Sequence, residues 1–368
     1  MNGTPFFTFG EFCDELGPAK VIHIYEPNSR LQAILVIDNV ARGPSVGGVR
    51  MAADVSVEEV FRLARAMTLK NAAAGLPHGG GKSGIIADPK TCDKPTLIIE
   101  FAKAIRELED YIPGPDMGTD ESCMALIHEE IGRAVGLPRE LGGIPLDEIG
   151  ATGFGVASCA EVAAEFCDLQ LAGAKVAIEG FGNVGRHAAQ FLAEQGTILV
   201  AASDSRGTVY RGEGMDIDEL ISVKASSGSV INMPEGQRLD NSEIFAVDCD
   251  ILVPAARPDC IHVNNAHKIK AQMILQGANI PATQEAETIL FERGIINVPD
   301  FICNAGGVIC AAVEYRGGTE SEAFEEINER ISHNTREVLT RSKNDNIEPR
   351  RAANEMALER VRTAAQPA

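Results

Sequence analysis

The sequence predicts an α/β protein of two domains, the second a doubly wound sheet with helices on both faces. The chain has 368 residues, which is enough for two hydrophobic cores. In the second half, short apolar segments alternate with helical ones, as is typical of βαβ units. Each half also carries a glycine-rich segment, at residues 79–81 and at residues 180–185.

Composition excludes several classes of protein. No apolar run approaches the ~20 residues that span a membrane. Residues 1–5 do not begin a secretory signal, because no basic region leads into an apolar one. The net charge of −20 disfavours nucleic acid and anionic membranes as partners. The nine cysteines include no Cys-x-x-Cys pair, so we expect reduced thiols in a cytoplasmic protein.

The first domain is expected to span residues 1–148. Apolar periodicity predicts a helix over residues 57–74. Ser56 is its expected N-cap, and Glu59 three residues later completes a capping box. The other expected elements are strands at 21–25, 31–37 and 84–87 and helices at 96–108 and 124–135.

The second domain is expected to span residues 149–331. A strand at 176–179, a helix at 184–194 and a strand at 198–202 form a βαβ unit with short links. The other expected elements are a helix at 152–166, strands at 251–253, 273–275 and 296–298, and helices at 324–340 and 352–364.

Gly180-x-Gly182-x-x-Gly185 follows a predicted strand and opens a predicted helix, which begins near Asn183 and Val184. Gly180 allows a tight turn, Gly182 lets the backbone approach a pyrophosphate, and Gly185 permits close packing of helix on strand. The helix N-terminus offers N–H groups and a positive dipole end to phosphates. This context favours a dinucleotide site over a purely structural turn.

Asp204 lies nineteen residues after Gly185, near the end of the second strand. A carboxylate there can bind the adenosine ribose hydroxyls, which favours NAD over NADP. Ser205 and Arg206 follow directly and offer contacts for a 2′-phosphate instead. NAD is therefore the expected cofactor, and NADP is not excluded.

Lys70 and Lys82 lie twelve residues apart, and Lys82 follows three glycines. Desolvation beside bare backbone lowers the pKa of a lysine, so one of the two can act as a base while the other holds an anion. Asp116 lies in a segment with two prolines and two glycines, which can aim its carboxylate at a ligand. The alternative for Asp116 is an Asx-turn. With the dinucleotide motif, these residues indicate an oxidoreductase that acts on a small carboxylate.

Two other kinds of site were weighed against this one. Gly81-Lys82-Ser83 ends like a P-loop, but the first glycine of that motif would fall at Leu76. His78 was considered as a base or a metal ligand. His128-Glu129-Glu130 resembles part of a zinc motif, but Gly132 stands where the second histidine is needed. We expect no metal site.

Several of these segments occur together in one known family. They are Val46-Gly47-Gly48-Val49-Arg50, the stretch from Lys70 to Lys82, Asp116, Thr152, the Gly180 motif and Asn304-Ala305-Gly306-Gly307. In this order the chain resembles the Glu/Leu/Phe/Val amino acid dehydrogenase family over residues 21–312. The N-terminus and length are similar to leucine and phenylalanine members. Residues 203–207 and 301–304 are more similar to glutamate dehydrogenases.

The resemblance implies reversible NAD(P)-dependent oxidative deamination of an L-2-amino acid to a 2-oxo acid and ammonia. It implies that Lys70 binds the substrate α-carboxylate, that Lys82 activates the water that attacks the imine, and that Asp116 shuttles protons. These roles agree with the chemistry expected from the residues themselves. The Lys70 cation suits an anionic carboxylate, and Lys82 with Asp116 suits an acid–base pair poised near neutrality. It also implies that Thr152 and Asn279 contact the nicotinamide portion, and that Asn304 lies near the reacting carbon.

The resemblance further implies how the chain is divided. Residues 1–148 would form a substrate-binding and oligomerisation domain, and residues 149–331 an NAD(P)-binding Rossmann domain. In relatives the last helices pack back across the cleft, so residues 332–368 would complete the first domain. Family members form oligomers through the first domain, and we expect a homo-oligomer.

Glutamate-specific members usually place a lysine at the position of Val46 and a serine at that of Ala311, which hold the substrate's side-chain carboxylate. A carboxylate buried among apolar residues would be unpaired. Gly114 stands where branched-chain enzymes tend to carry alanine. The methyl group that glycine lacks leaves a larger pocket. We therefore expect an apolar substrate, with branched chains ahead of aromatic ones. The alternatives are glutamate dehydrogenase and a catalytically silent cofactor-binding regulator. The expected substrate-binding set is Lys70, Val46, Gly47, Met67, Gly114, Val308 and Ala311.

Overall fold

The computed structural model describes residues 13–366. Residues 1–5, for which no secretory signal is expected, lie outside the described residues. The chain forms two compact units. Unit 1 contains the chain up to Pro145, Ala311–Glu320 and the segment from Ala357; unit 2 contains Leu146–Cys310 and Ser321–Met356. Within residues 13–366, no helix combines the length and the apolar character that a membrane span requires. The predicted α/β class is confirmed.

Unit 1 is built on a five-stranded sheet with the order β1-β2-β4-β3-β5. The pairs β1–β2 and β2–β4 are antiparallel, whereas β4–β3 and β3–β5 are parallel. Unit 1 has two hydrophobic cores. Helix α1 packs against β4 and β2 at one of them, and helices α2 and α3 cover the other. The elements are β1 (Lys20–Glu26), β2 (Leu31–Asn39), β3 (Ser45–Ala52), α1 (Val57–Ala73), β4 (Gly79–Ile86), α2 (Lys94–Ala104), β5 (Tyr111–Pro115) and α3 (Glu121–Ile131).

Two strands of unit 1, β3 and β5, were not predicted, and β4 begins five residues earlier than expected. Glycine, which has low strand propensity, occurs in all three, and β5 also contains two prolines. Glycine is needed at positions where a neighbouring backbone approaches the strand closely. A Cβ added at Gly47 would lie 1.6 Å from the Gly81 carbonyl oxygen, and one at Gly80 would lie 2.0 Å from the Thr68 nitrogen.

Unit 2 is built on a seven-stranded sheet with the order β12-β11-β10-β6-β7-β8-β9. Five strands are parallel, and β8 and β9 add antiparallel at one edge. The strand order reverses between β6 and β10, where doubly wound sheets form a ligand crevice. The strands are β6 (Lys175–Glu179), β7 (Ile198–Asp204), β8 (Gly207–Tyr210), β9 (Gln237–Leu239), β10 (Ile251–Pro254), β11 (Met273–Leu275) and β12 (Ile296–Val298).

The helices of unit 2 confirm the predicted βαβ unit and add elements that were not predicted. Helix α5 connects the parallel strands β6 and β7. Helix α10 begins in unit 2 and ends in unit 1. The helices in this part of the chain are α4 (Ala151–Phe166), α5 (Asn183–Glu194), α6 (Ile217–Ser227), α7 (Val263–Ala266), α8 (Gln284–Glu292), α9 (Asp300–Cys303) and α10 (Gly306–Tyr315).

The two closing helices are α11 (Glu320–Asp345) and α12 (Pro349–Ala365). The expectation that residues 332–368 complete the first domain is wrong for most of this segment, because unit 2 continues to Met356. Two contacts explain the difference. Thr335 donates from its hydroxyl to the Cys159 sulfur of α4, at 3.4 Å. Farther along, Arg360 Nη1 donates to the Ala73 carbonyl of α1, at 2.7 Å, so only the end of α12 belongs to unit 1.

Candidate functional site

Lys82 lies inside strand β4 and is only 6% exposed. Its ammonium nitrogen lies 3.0 Å from Asp116 Oδ2. Burial lowers the pKa of Lys82 and outweighs the opposing effect of the Asp116 charge. The predicted depressed pKa therefore has a structural cause. Because Lys82 and Ser83 are mid-strand residues, this run does not form a phosphate-binding loop ahead of a helix.

Asp116 directly follows β5, and its carboxylate points at two cations. Oδ2 accepts a hydrogen bond from Arg50 Nε at 2.8 Å in addition to the contact with Lys82. Burial alone would raise the pKa of Asp116, but the Lys82 charge and the Arg50 hydrogen bond lower it overall. The local turn is made by Thr119, whose Oγ1 accepts from the Asp116 backbone N–H at 3.0 Å. The Asp116 carboxylate therefore does not form the Asx-turn that was the alternative.

Arg50 has a role that was not predicted. Besides binding Asp116, its Nη1 contacts Glu59 Oε1 at 2.5 Å. The capping box predicted at α1 is therefore only half formed: Ser56 Oγ accepts from the Glu59 N–H at 3.1 Å, but the Glu59 carboxylate turns to Arg50. The alternation of side chains along a strand could have indicated this role of Arg50. Gly48 and Arg50 are two residues apart and therefore lie on the same face of β3.

Gly48 keeps space open for the pair of Lys82 and Asp116. A Cβ added at Gly48 would lie 2.7 Å from Asp116 Cβ and 3.0 Å from Lys82 Nζ. Both distances are shorter than a normal van der Waals contact. A side chain at this position would displace the two charged groups, so glycine is required for their geometry.

An apolar cluster lies on the same side of the sheet. Val46 and Gly48 are two residues apart on β3 and face the same way. Buried Val46 packs with Ile112, Val135 and Ala311. The pocket enlargement expected at Gly114 is limited, because a Cβ there would lie 3.0 Å from Val135 Cγ2. The structure therefore brings Val46 and Ala311 together as predicted, and Val135 occupies part of the space left by the missing methyl.

The other residues predicted to bind substrate lie on α1, β3 and α10. Lys70 lies in the last turn of α1, and both Lys70 and Met67 are half-buried. The Gly47 carbonyl accepts from the Tyr111 hydroxyl at 2.9 Å. Val308 is half-buried on α10 and belongs to unit 2. The roles of these four residues stay predictions.

His78 is held by structural contacts. Its Nδ1 lies 3.2 Å from the Pro44 carbonyl oxygen, and its ring packs edge-on against Tyr315. Burial lowers the pKa of His78, which favours the neutral ring. These contacts account for the placement of a buried histidine at this position.

The glycine motif of unit 2 has the geometry of a phosphate cradle. Gly180 follows β6 with φ of 90°, and a Cβ at Gly185 would lie 2.0 Å from the Gly180 carbonyl oxygen. At Gly182, by contrast, no described atom lies within 4 Å of an added Cβ. Gly182 is the N-cap of α5 and supplies no side-chain acceptor, so the first N–H groups of the helix can donate hydrogen bonds to a pyrophosphate. These residues fit an NAD(P) phosphate group.

The side chains of the next two predicted residues pack within unit 2. Asn183 Nδ2 donates to Asp147 Oδ1 at 3.0 Å, and its Oδ1 accepts from Arg186. Val184 Cγ1 lies 3.2 Å from the place of a Cβ at Gly277. What Asn183 and Val184 can offer to phosphates is therefore their backbone N–H groups.

The two asparagines predicted to lie near the nicotinamide, Asn279 and Asn304, are in contact. The buried Asn304 donates from Nδ2 to Asn279 Oδ1 at 3.0 Å, and the same nitrogen lies 3.3 Å from the Gly277 and Ala278 carbonyls. Thr152 Oγ1 lies 3.4 Å from the place of a Cβ at Gly307. Their contacts with a cofactor stay predictions.

Asp204 ends β7, where the spacing predicted it, but its carboxylate is engaged by the protein. It accepts hydrogen bonds from the Arg206 N–H at 3.0 Å, the Ser229 hydroxyl at 2.9 Å and the Val230 N–H at 2.8 Å. Burial would raise the pKa of Asp204, but these hydrogen bonds lower it overall. Ser205 and Arg206 are exposed at the turn that follows.

Family models match both parts of the chain. The dimerisation domain of Glu/Leu/Phe/Val dehydrogenase matches residues 20–133, and Glutamate/Leucine/Phenylalanine/Valine dehydrogenase matches residues 142–367. Among curated relatives, the glutamate dehydrogenase of Aeropyrum pernix is 41% identical over 88% of this chain and 83% of its own. The NADP-specific glutamate dehydrogenase of Saccharolobus shibatae is 41% identical over 75% of this chain and 69% of its own. The NAD-specific glutamate dehydrogenase of Staphylococcus aureus is 38% identical over 89% of this chain and 84% of its own.

Solved structures agree with this assignment over nearly the whole chain. The hetero-hexameric glutamate dehydrogenase of Thermus thermophilus, in a Leu-bound form, aligns with a TM-score of 0.81 at 29% identity, covering 94% of this chain and 89% of that one. The L-tryptophan dehydrogenase of Nostoc punctiforme aligns with a TM-score of 0.77 at 26% identity, covering 96% and 98%. The second domain is thus of the Rossmann type. The chain belongs to the Glu/Leu/Phe/Val dehydrogenase family.

Proposed function

We propose that the chain catalyses the reversible NAD(P)-dependent oxidative deamination of an L-amino acid to the 2-oxo acid and ammonia. The observation that carries the proposal is the contact of 3.0 Å between buried Lys82 and Asp116. A lysine with a lowered pKa beside an ionised carboxylate forms an acid–base pair suited to amine and imine chemistry.

In this proposal each residue has one task. Lys70 holds the α-carboxylate of the substrate. Asp116 accepts a proton from the substrate amine. A nicotinamide cofactor, when bound, would supply the acceptor for the hydride of the α-carbon, so that the amine becomes an imine. Neutral Lys82 takes a proton from water as the water oxygen bonds to the imine carbon. Asp116 then returns its proton to the amino nitrogen, and ammonia leaves as the new hydroxyl passes its proton to solvent and becomes the carbonyl of the 2-oxo acid. Burial lowers the pKa of Lys82, which favours the neutral form that this task requires.

Glutamate is the first candidate substrate. The curated relatives at 38–41% identity are named glutamate dehydrogenases. These names support glutamate, the alternative substrate, better than the apolar amino acid that was the main expectation from the sequence. We therefore propose glutamate, with 2-oxoglutarate and ammonia as products.

One observation favours an apolar side chain as the second candidate. Val46, Ile112, Val135 and Ala311 form a cluster without a charged group, on the face of β3 that also carries Gly48. A carboxylate placed against this cluster would lose hydration without gaining a partner. The Nostoc punctiforme relative, an L-tryptophan dehydrogenase, shows that this fold accepts a large apolar substrate.

We also propose that the chain assembles as a homo-oligomer through unit 1. The family model that matches residues 20–133 describes a dimerisation domain. The Thermus thermophilus relative is described as hetero-hexameric. Light scattering of the purified protein tests this proposal, and a monomer at micromolar concentration would contradict it.

A substrate panel decides between the two candidates. Formation of NAD(P)H is measured with glutamate, leucine, valine, phenylalanine and tryptophan, and the kcat/KM values are compared. Glutamate as the best substrate by tenfold or more supports the first candidate, and an apolar amino acid in that position supports the second. Val46→Lys should raise the ratio of glutamate to leucine kcat/KM, since it adds a cation to the cluster. Val40→Lys, at an exposed position, is the matched control.

A further inference from the structure

Asp300 contacts the chain beside both asparagines that are predicted to lie near the nicotinamide. Its Oδ2 accepts from the Ile280 N–H at 3.0 Å, and Ile280 directly follows Asn279. Its backbone carbonyl accepts from the Asn304 N–H at 2.7 Å. Asn304 Nδ2 in turn donates to Asn279 Oδ1 at 3.0 Å. Asp300 therefore holds the backbone on both sides of the contact between the two asparagines.

The backbone of Ile280 has a conformation that depends on such contacts. Its φ is +48°, in the left-handed region that a β-branched residue rarely adopts. Its side chain is 57% exposed, so packing of that side chain does little to hold it. Its N–H donates to Asp300, and its carbonyl accepts from the Asp259 N–H at 3.0 Å. Strained backbone persists only where its surroundings hold it, so these hydrogen bonds fix the segment that carries Asn279.

Asp300 is itself held by a buried network around Arg350. Asp300 is 6% exposed, and its Oδ1 lies 2.9 Å from Arg350 Nη1. The same guanidinium donates from Nε to Glu287 Oε2 at 2.7 Å and from Nη2 to Gln276 Oε1 at 2.8 Å. Gln276 Oε1 also accepts from the Asp300 N–H at 3.1 Å. Because a planar guanidinium donates in fixed directions, this network sets the orientation of the Asp300 carboxylate.

We propose that Asp300 is a positioning residue of the nicotinamide subsite. Arg350 fixes one oxygen of its carboxylate, and the other oxygen holds the Ile280 N–H. This keeps Asn279 within hydrogen-bonding distance of Asn304. Asp300 does not touch the cofactor, but acts through the two asparagines. The inference rests on the proposed function, because the asparagines have a nicotinamide to bind only if the chain is a dehydrogenase.

Binding of NADH and of ADP-ribose tests this role, because ADP-ribose lacks the nicotinamide ring. NADH binding is followed by its fluorescence and ADP-ribose binding by calorimetry; NADPH and 2′-phospho-ADP-ribose replace them if the protein binds NADPH more tightly. In Asp300→Asn, the Arg350 cation should attract the one amide oxygen, so that the NH2 group faces the Ile280 N–H and their hydrogen bond is lost. NADH binding should weaken about fivefold to tenfold, and ADP-ribose binding should stay within about twofold.

Two further variants complete the test. Asp300→Ala removes both contacts of the carboxylate and should show the same selective loss. Asp250→Asn is the matched control. Asp250 Oδ2 accepts from the Lys175 N–H at 2.8 Å, at the amino ends of β6 and β10 and opposite the ligand crevice, so neither affinity should change.

Equal weakening of NADH and ADP-ribose binding by the Asp300 variants, as a general loss of structure would give, overturns the proposal. Unchanged NADH binding by these variants overturns it as well. If the wild-type protein binds none of the four nucleotides, the proposed function itself fails.

Discussion

Lys82 Nζ and Arg50 Nε contact the same oxygen of Asp116, at 3.0 Å and 2.8 Å. The two cations are not equivalent, because an arginine keeps its charge at any working pH and a buried lysine does not. Arg50 therefore continues to favour the ionised form of Asp116, the proposed proton acceptor for the substrate amine, when Lys82 loses its proton.

The charges around Lys82 predict opposite pH shifts for two variants. Burial is the main cause of the lowered Lys82 pKa; the Arg50 charge lowers it further, and the Glu59 charge raises it. Activity requires neutral Lys82 and rises with pH through its pKa. Arg50→Gln should raise that pKa and move the rise of kcat/KM to higher pH, whereas Glu59→Gln should move it to lower pH. Profiles of kcat/KM against pH measure both shifts. Two shifts in the same direction would contradict the assignment of Lys82 as the base.

Two glycines of the unit 2 motif should respond differently to alanine. Gly182 has φ of −88° and open space around an added Cβ, so Gly182→Ala should fold with a loss below about 1 kcal/mol. The new methyl would occupy the cradle and weaken NAD(P)H binding about tenfold, or about 1.4 kcal/mol. Gly185→Ala would instead force a Cβ to 2.0 Å from the Gly180 carbonyl and cost about 1–3 kcal/mol of stability. Titration and thermal unfolding separate the two effects; unchanged binding by Gly182→Ala would show that phosphates lie elsewhere.

Arg350 holds two buried carboxylates of unit 2. It contacts Glu287 at 2.7 Å and Asp300 at 2.9 Å, and Glu287 is only 3% exposed. Arg350→Met would leave both carboxylates without their cation, at a cost of about 3–5 kcal/mol. Arg351→Met is the matched control, because Arg351 forms only an exposed pair with Glu355, worth about 0.3–0.5 kcal/mol. Urea unfolding measures both variants. Equal midpoints would show that the buried ion pairs contribute little to stability.

The sequence predicts most readily those elements whose own residues favour their structure. Strands β11 and β12 were predicted at their observed bounds, because each is a short apolar run between breaks. Strands β3 and β5 were missed because close packing, not local propensity, makes glycine and proline acceptable there. The position of α11 also depends on tertiary contacts, such as that of Thr335 with Cys159.

The same distinction holds for the candidate site. The resemblance to the family implied that Lys82 and Asp116 act in the same reaction, and the structure brings them into contact. Spacing also located Asp204 at the end of β7, but its partners Ser229 and Val230 lie 25 or more residues away and could not be inferred. Asp300 was missed for the same reason, because only the fold brings its carboxylate to the Ile280 N–H.

Replacing Lys82 tests the central claim most directly. Lys82→Met keeps the volume of the buried side chain and leaves Asp116 paired with Arg50, so folding and NAD(P)H binding should be retained. Amino-acid-dependent formation of NAD(P)H should fall by about 10²–10⁴-fold, the usual effect of removing a general base. Lys90→Met, at an exposed position beyond β4, should keep wild-type turnover. A folded Lys82→Met protein with near wild-type turnover would contradict the account.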